Sequence, residues 1–232
     1  MASIKILLPA LITTKEQQKM TDGCKKSIFS LDHCIKVYED NEKYEAKVAG
    51  VWNAFLDKWR GKEYDYLMIL ANDTQLDPMA IDYGVKTLEE HPEAGVCTLH
   101  VTRDLEEFKK GFGKHLRSGE LTKRYENMDP ANFIIRKGVI ETVGRIDETF
   151  KMEFVERDYW RRCEKMGFKW IEPIETLNYH PPFAGTIGND PERLVKAFDK
   201  YIRKHGGDAG KEKFDFPYND ISLNWTYSEY YK

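Results

Sequence analysis

The feature that most constrains the fold of this chain is the run Tyr66-Leu67-Met68-Ile69-Leu70, which breaks off into Ala71-Asn72-Asp73-Thr74 and then reaches Asp77-Pro78. A short apolar run bounded by turn-forming residues is the pattern of a buried strand. In an open α/β sheet, ligands bind outside the carboxyl ends of such strands. Asp73 therefore stands where a carboxylate can hold a metal ion, and the metal a phosphate. The plain alternative is that Asn-Asp-Thr only closes a turn. Asp77, directly before Pro78, reads as the N-cap of the following helix with Pro78 at its first position, not as a ligand.

Strands and helices alternate around this run. Residues 4–8 read as a strand closed by Pro9, 15–29 as a helix, and 34–38 as a second strand ending at Glu39-Asp40-Asn41. Tyr44, Val48, Val51, Trp52, Phe55 and Trp59 recur at spacings of three and four, one buried helix face that Gly61 stops. A helix to His91-Pro92 and a strand over 95–101 follow. The rhythm lapses over 103–128, read as a long loop with some helix. It resumes with strand 132–136, helix 138–143, helix 155–166, strand 168–174 and helix 191–204. In helix 155–166, Val155, Tyr159, Cys163 and Met166 form the apolar stripe. This alternation predicts an α/β fold in three layers, α/β/α, around a mostly parallel sheet. Residues 1–190 are expected to form the domain. Residues 191–232 add a helix and a tail rich in Tyr, Phe and Trp, which packs on the domain or on a second copy of the chain.

The bulk numbers narrow the function classes. Of 232 residues, 41% are hydrophobic and 32% charged, enough for both a substantial core and a solvated surface. A net charge of −3 supplies no basic field for nucleic acid. No apolar run is long enough to span a bilayer, and the N-terminal run is interrupted by Lys5, too short for a signal peptide. Cys24, Cys34, Cys97 and Cys163 lack C-x-x-C spacing, which predicts reduced thiols and a cytoplasmic protein.

Three segments carry a resemblance. Tyr66 to Pro78 looks like the strand that bears a D-x-D signature. Asn132-Phe133-Ile134-Ile135-Arg136, running on through Gly144-Arg145-Ile146-Asp147-Glu148-Thr149-Phe150, looks like an acceptor-side strand and its G-x-x-D-E-x-F turn. Glu156-Arg157-Asp158-Tyr159-Trp160-Arg161-Arg162, followed by Gly167, resembles the acidic helix start that holds a catalytic base. In this order they resemble the family-2 glycosyltransferases of the GT-A fold, above all the compact rhamnosyltransferase-like members that build bacterial and viral polysaccharides. The resemblance covers most of residues 3–183. It departs where Ala71 replaces the first acid of D-x-D, where Val155-Glu156 replaces an E-D pair, and where Tyr38-Glu39-Asp40-Asn41 lacks a D-x-S pattern.

The resemblance implies an inverting transfer of a sugar from a nucleotide-diphosphate donor (UDP- or dTDP-linked, with rhamnose, glucose, galactose and xylose all open) to a glycan hydroxyl. It places the donor against Pro9, Glu39, Asp40, Asn53, Asn72 and Asp73, and a Mn²⁺ or Mg²⁺ ion on Asp73 and His180. The catalytic acids would be Glu156, as base, and Asp158. From the residues themselves, Glu156 borders the apolar stripe, whereas Asp158 lies four before Arg162 in an ordinary helix ion pair. Asp147 is a candidate for acceptor binding. Trp160 and Trp170 are more simply core than sugar platforms. Two rivals remain: a silent nucleotide-sugar or glycan-binding module, kept open by Ala71, and a sugar nucleotidyltransferase. The latter is disfavoured because Leu8-Pro9-Ala10-Leu11-Ile12-Thr13-Thr14 holds no glycine for a phosphate loop. A dinucleotide-dependent dehydrogenase lacks its G-x-G-x-x-G after the first strand.

Overall fold

A computed structural model describes residues 1–10, 12, 14–40, 48–113, 132–150, 154–173, 175–181, 191–206, 217–218 and 221–222. Its first half repeats a strand–helix unit: β1 (Ser3–Pro9), α1 (Lys15–Ser27), β2 (Cys34–Asp40), α2 (Val48–Trp59), β3 (Tyr66–Leu70), α3 (Ala80–Glu90) and β4 (Ala94–Thr98). Then come β5 (Val101–Thr102), α4 (Leu105–Gly111), β6 (Asn132–Arg136), α5 (Lys137–Val143), α6 (Val155–Lys165), β7 (Lys169–Ile171), β8 (Asn178–Tyr179) and α7 (Pro191–His205). The short strands β9 (Pro217–Tyr218) and β10 (Ile221–Ser222) pair with each other. Beyond those two strands, the tail expected to pack on the domain or on a second copy lies outside the described residues, as do residues 114–128 of the expected long loop.

Six strands form the central sheet in the order β2-β1-β3-β6-β4-β7. β1 pairs in parallel with both β2 and β3, and β4 in parallel with β7. β6 runs antiparallel between β3 and β4. The sheet is thus mostly parallel, as the alternation predicts, with one reversed strand at its centre. Because β2 and β3 flank β1 on opposite sides, the building direction switches at β1. The carboxyl ends of the first three strands share one edge, the place where such sheets bind ligands.

Side chains alternate between two helix layers, as the pleat requires. Leu67, Ile69, Phe133 and Ile135 pack with Trp52 and Phe55 of α2, with Val155, Tyr159 and Cys163 of α6, and with Phe198 and Tyr201 of α7. Tyr66, Met68, Leu70 and Ile134 pack with Cys24 of α1 and Ile81, Val85 and Leu88 of α3. All five residues of β3 are buried, a contribution on the order of 10 kcal/mol at 1.5–3 kcal/mol per large apolar side chain. Gly84 lets α3 approach the sheet: a Cβ there would lie 2.8 Å from Ile134 Cδ1.

Several boundaries differ from the sequence reading. α3 starts at Ala80 with Met79 as N-cap, because Asp77 spends Oδ1 on the Met79 amide (2.9 Å) in a local turn and Oδ2 on the Gly113 amide (2.6 Å). The strand expected over 95–101 divides, since β4 ends at Thr98 and β5 leaves to pair with β8. β7 is only three residues long, Lys169–Ile171, and its pairing with β4 shifts register between Ala94 and Val96. Met166 is exposed, not part of the apolar stripe, because α6 ends at Lys165 and turns at Gly167, whose φ is +86°. Trp160 and Trp170 are both buried in the core. Among the described residues, no helix is long and apolar enough to cross a membrane, and all four cysteines are free thiols.

Candidate active site

The turn after β3 is held from three sides. Thr74 donates its amide to the Ala71 carbonyl (3.1 Å), closing the turn. Buried Asn132, opposite Leu70 at the start of β6, accepts from the Ala71 amide (3.1 Å) and from the Thr74 hydroxyl (3.0 Å) through the same Oδ1. Asn72 donates to the Thr21 hydroxyl of α1 at 2.9 Å. A bridge between Gln75 and Tyr179, with bonds of 2.8 and 2.9 Å, then ties this turn to β8. Neither Asn132 nor the bridge was apparent from the sequence.

The bridge brings the two candidate metal ligands together. Asp73 Oδ1 lies 3.2 Å from His180 Nε2. That is an ion-pair distance, yet the same buried Oδ1 accepts no hydrogen bond, so its angles with the ring do not make one. Two donors on an octahedral cation at about 2.1 Å stand about 3 Å apart, and the pair meets that spacing. Among the described residues, no group of three or more His, Cys, Asp or Glu could hold a metal. Mg²⁺-type ions are commonly bound by one or two protein groups together with substrate phosphates. A carboxylate and an imidazole fit an ion that arrives with a diphosphate. Cys24, beneath the turn, points its thiol at the Ala71 carbonyl (3.5 Å); burial first, and then the Asp73 charge, push that thiol up to about 12.

Glu156 occupies the first turn of α6 and is half-buried. Because α6 returns through the Gly167 turn into β7, which runs parallel to β4, its amino end lies toward the carboxyl edge of the sheet. A negative charge there lies at the favourable end of the helix dipole.

Asp158 is fully buried. Arg162 Nε donates to its Oδ2 at 3.0 Å, the ion pair expected from the spacing. Its Oδ1 meets Lys204 Nζ at 2.5 Å and His205 Nε2 at 2.8 Å. Burial alone would raise its carboxyl; the hydrogen bonds from His205 and Lys204, with Arg162, hold it below the ordinary value instead. Asp147 Oδ1 accepts from the amide (2.8 Å) and the hydroxyl (2.6 Å) of Thr149, while its Oδ2 pairs with Lys204 at 2.7 Å. Neither Lys204 nor His205 carries a sequence signal linking it to this region.

Of the remaining expected donor contacts, three sit at the carboxyl ends of the first two strands. Pro9 ends β1 and Asp40 ends β2, directly opposite each other in register. Glu39 pairs with Lys25 of α1. Asn53 is buried on α2: its amide group donates to the Ile146 carbonyl (2.9 Å) and to Glu148 (2.8 Å), and its oxygen accepts from the Ile146 amide (2.7 Å). Those bonds make Asn53 a clamp on the 144–150 turn.

Among solved structures, the fold is similar to the mannosyltransferase PcManGT from Pyrobaculum calidifontis in complex with GDP-Man and Mn²⁺. The TM-score is 0.56 at 12% identity, covering 86% of this chain and 64% of that one. It is also similar to S. aureus TarS 1-349 in complex with UDP, with TM-score 0.58 and 9% identity over 90% of this chain and 68% of that one. GalNAc-T7 with UDP, GalNAc and Mn²⁺ gives TM-score 0.51 and 11% identity over 85% of this chain and 48% of that one. The chain therefore spans about two thirds or less of the length of these neighbours. No protein-family model and no curated protein match the sequence. The likeness defines the architecture: this chain has the GT-A glycosyltransferase fold. Chemistry belongs to the site rather than to the fold.

Proposed function

We propose that this chain is an inverting glycosyltransferase that moves a sugar from a nucleotide-diphosphate donor to a glycan hydroxyl. The observation that carries the reading is the buried, hydrogen-bond-free Oδ1 of Asp73, 3.2 Å from His180 Nε2 at the carboxyl edge of the sheet. Neighbours of the same fold hold GDP-Man or UDP together with Mn²⁺. Asp73 and His180 would hold a divalent ion, Mn²⁺ or Mg²⁺, which when bound neutralises the charge of the departing diphosphate. Pro9, Glu39, Asp40 and Asn72 line the edge on which the nucleotide would rest. Glu156 takes the proton of the acceptor hydroxyl as general base. The acceptor oxygen then forms its bond to the anomeric carbon from the face opposite the diphosphate, which leaves with the electron pair of the broken C–O bond. One displacement inverts the anomeric centre.

A uracil- or thymine-type base and a hexose or deoxyhexose such as rhamnose follow from the family resemblance. One observation favours a second reading, a binding module without turnover: Ala71 occupies the place of the first D-x-D acid. A screen of UDP-glucose, UDP-galactose, dTDP-rhamnose and GDP-mannose, with and without Mn²⁺, separates the two. Mn²⁺-dependent stabilisation accompanied by release of the nucleoside diphosphate supports transfer. Stabilisation without release supports the module, and neither effect overturns both.

A further inference from the structure

We propose that the carboxyl-terminal end of α7 is the positioning element for Glu156, with Lys204 and His205 setting the rotation of α6 through Asp158. The role given to Glu156 rests on the function proposed above; the mechanical claim about α6 stands on the geometry alone.

The entry to α6 is strained. Phe154, its N-cap, has φ of +63°, a left-handed conformation that is unfavourable for a non-glycine residue and persists only where the surroundings over-determine it. Here they do. The buried Phe154 ring packs against Phe198 (5.7 Å) and Tyr201 (5.2 Å), both on α7. From the same helix Lys200 Nζ donates to the Thr149 carbonyl at 2.6 Å, so α7 grips the chain on both sides of the residues that lead into α6.

Asp158 supplies the rotational lock. Its carboxylate is wholly buried and receives Arg162 from its own helix and Lys204 and His205 from α7. The other ring nitrogen of His205, Nδ1, lies 3.4 Å from Lys165 Nζ. An ammonium can only donate, so Nδ1 accepts and Nε2 carries the proton given to Asp158. Lys204 also reaches Asp147, joining the 144–150 turn to the same knot. Breaking a buried pair of this kind leaves an uncompensated charge, so rotation of α6 about its axis is opposed strongly. At 100° per residue, Glu156 stands about 160° round the helix from Asp158. Pinning Asp158 to α7 thereby aims Glu156 away from α7.

Backbone amide exchange and turnover test this together. In Lys204→Met, amides 158–161, whose helical bonds run back to 154–157, should exchange at least ten-fold faster while those of α3 keep their rates. Turnover of whichever of the four nucleotide sugars the wild type cleaves should fall at least ten-fold with donor KM unchanged, and Lys204→Arg should restore both. His205→Gln gives the same local pattern if Lys204→Met folds poorly. Unchanged exchange at 158–161, or an equal rise throughout the chain, overturns the proposal and leaves α7 an ordinary packing helix. If the wild type cleaves no nucleotide sugar, the base assignment falls while the exchange rates still decide whether α7 sets α6.

Discussion

The backbones of Gln75 and Tyr179 exchange two hydrogen bonds, 2.8 and 2.9 Å long, and this bridge places Asp73 beside His180. Asp73 belongs to the turn after β3, whereas His180 follows β8, whose own partner is β5. His180 is held further by its amide, which donates to the Thr102 carbonyl at 3.0 Å. The candidate metal pair is therefore a product of two strand ends meeting, each anchored by backbone.

The first prediction concerns the ion. With UDP and Mn²⁺ at about a hundred times the apparent Kd, the wild type should gain about 2.7 kcal/mol of stability, seen as a rise in Tm of several degrees. Asp73→Asn and His180→Ala should each remove most of the Mn²⁺-dependent part. A shift that survives both variants and added chelator would place the ion elsewhere.

Glu156→Gln keeps the shape of the side chain and removes its basicity. Turnover should fall by about 10²–10⁴, while the thermal shift produced by the donor stays within about two-fold of wild type. An active Glu156→Gln enzyme would assign the base to another group.

Asn132→Leu should loosen the turn that presents Asp73. The substitution strands the Ala71 amide and the Thr74 hydroxyl, both now bonded to Asn132 Oδ1. A buried donor left unpaired costs about 1–3 kcal/mol, measurable as a lower urea midpoint. Mn²⁺-dependent stabilisation should weaken as well; a variant matching wild type in both would show that the turn holds itself.

Gly95→Ala tests the packing of β4. The added Cβ would lie 2.5 Å from Val139 Cγ2 and 2.9 Å from Phe168 Cβ, so α5 or the start of β7 must give way. A cost of about 1–3 kcal/mol is expected for overpacking of this kind. An unchanged melting temperature would mean that α5 shifts freely.

Acid should undo the α7 knot. Burial opposes ionisation of Asp147, but Lys204 and Thr149 hold its carboxyl well below the usual range, and Asp158 is lowered in the same sense. For a group whose folded value is depressed, the stability it contributes is present above the unfolded value, 3.8 for Asp, and is lost as pH falls toward the folded value. Wild-type stability should therefore drop steeply below about pH 4, and Asp147→Asn should show a shallower acid limb. Parallel limbs in the two proteins would remove Asp147 from the knot.

Much of the scaffold was legible locally. β3 and β6 occupy the expected residues because short apolar runs, five residues in β3 and Phe133-Ile134-Ile135 in β6, admit little else. The three-and-four spacing of Trp52, Phe55 and Trp59 marked the packed face of α2. Asp158 and Arg162 pair as neighbours one helical turn apart must. Local pattern failed where a residue had a distant partner: Asp77 bonds Gly113, the chain leaves β4 after Thr98 to meet β8, and β6 inserts in reverse between β3 and β4.

By itself the sequence determined the order of the main strands and helices, most of the buried faces, and the delivery of Asp73 to the end of a central strand, because periodicity and turn chemistry act between residues a few positions apart. Only the tertiary structure decided that His180 meets Asp73, and that Lys204 and His205 close on Asp158 rather than remain a solvated helix end. Those contacts join segments far apart along the chain. Their polar groups meet in a buried place, which exists only once the layers have packed.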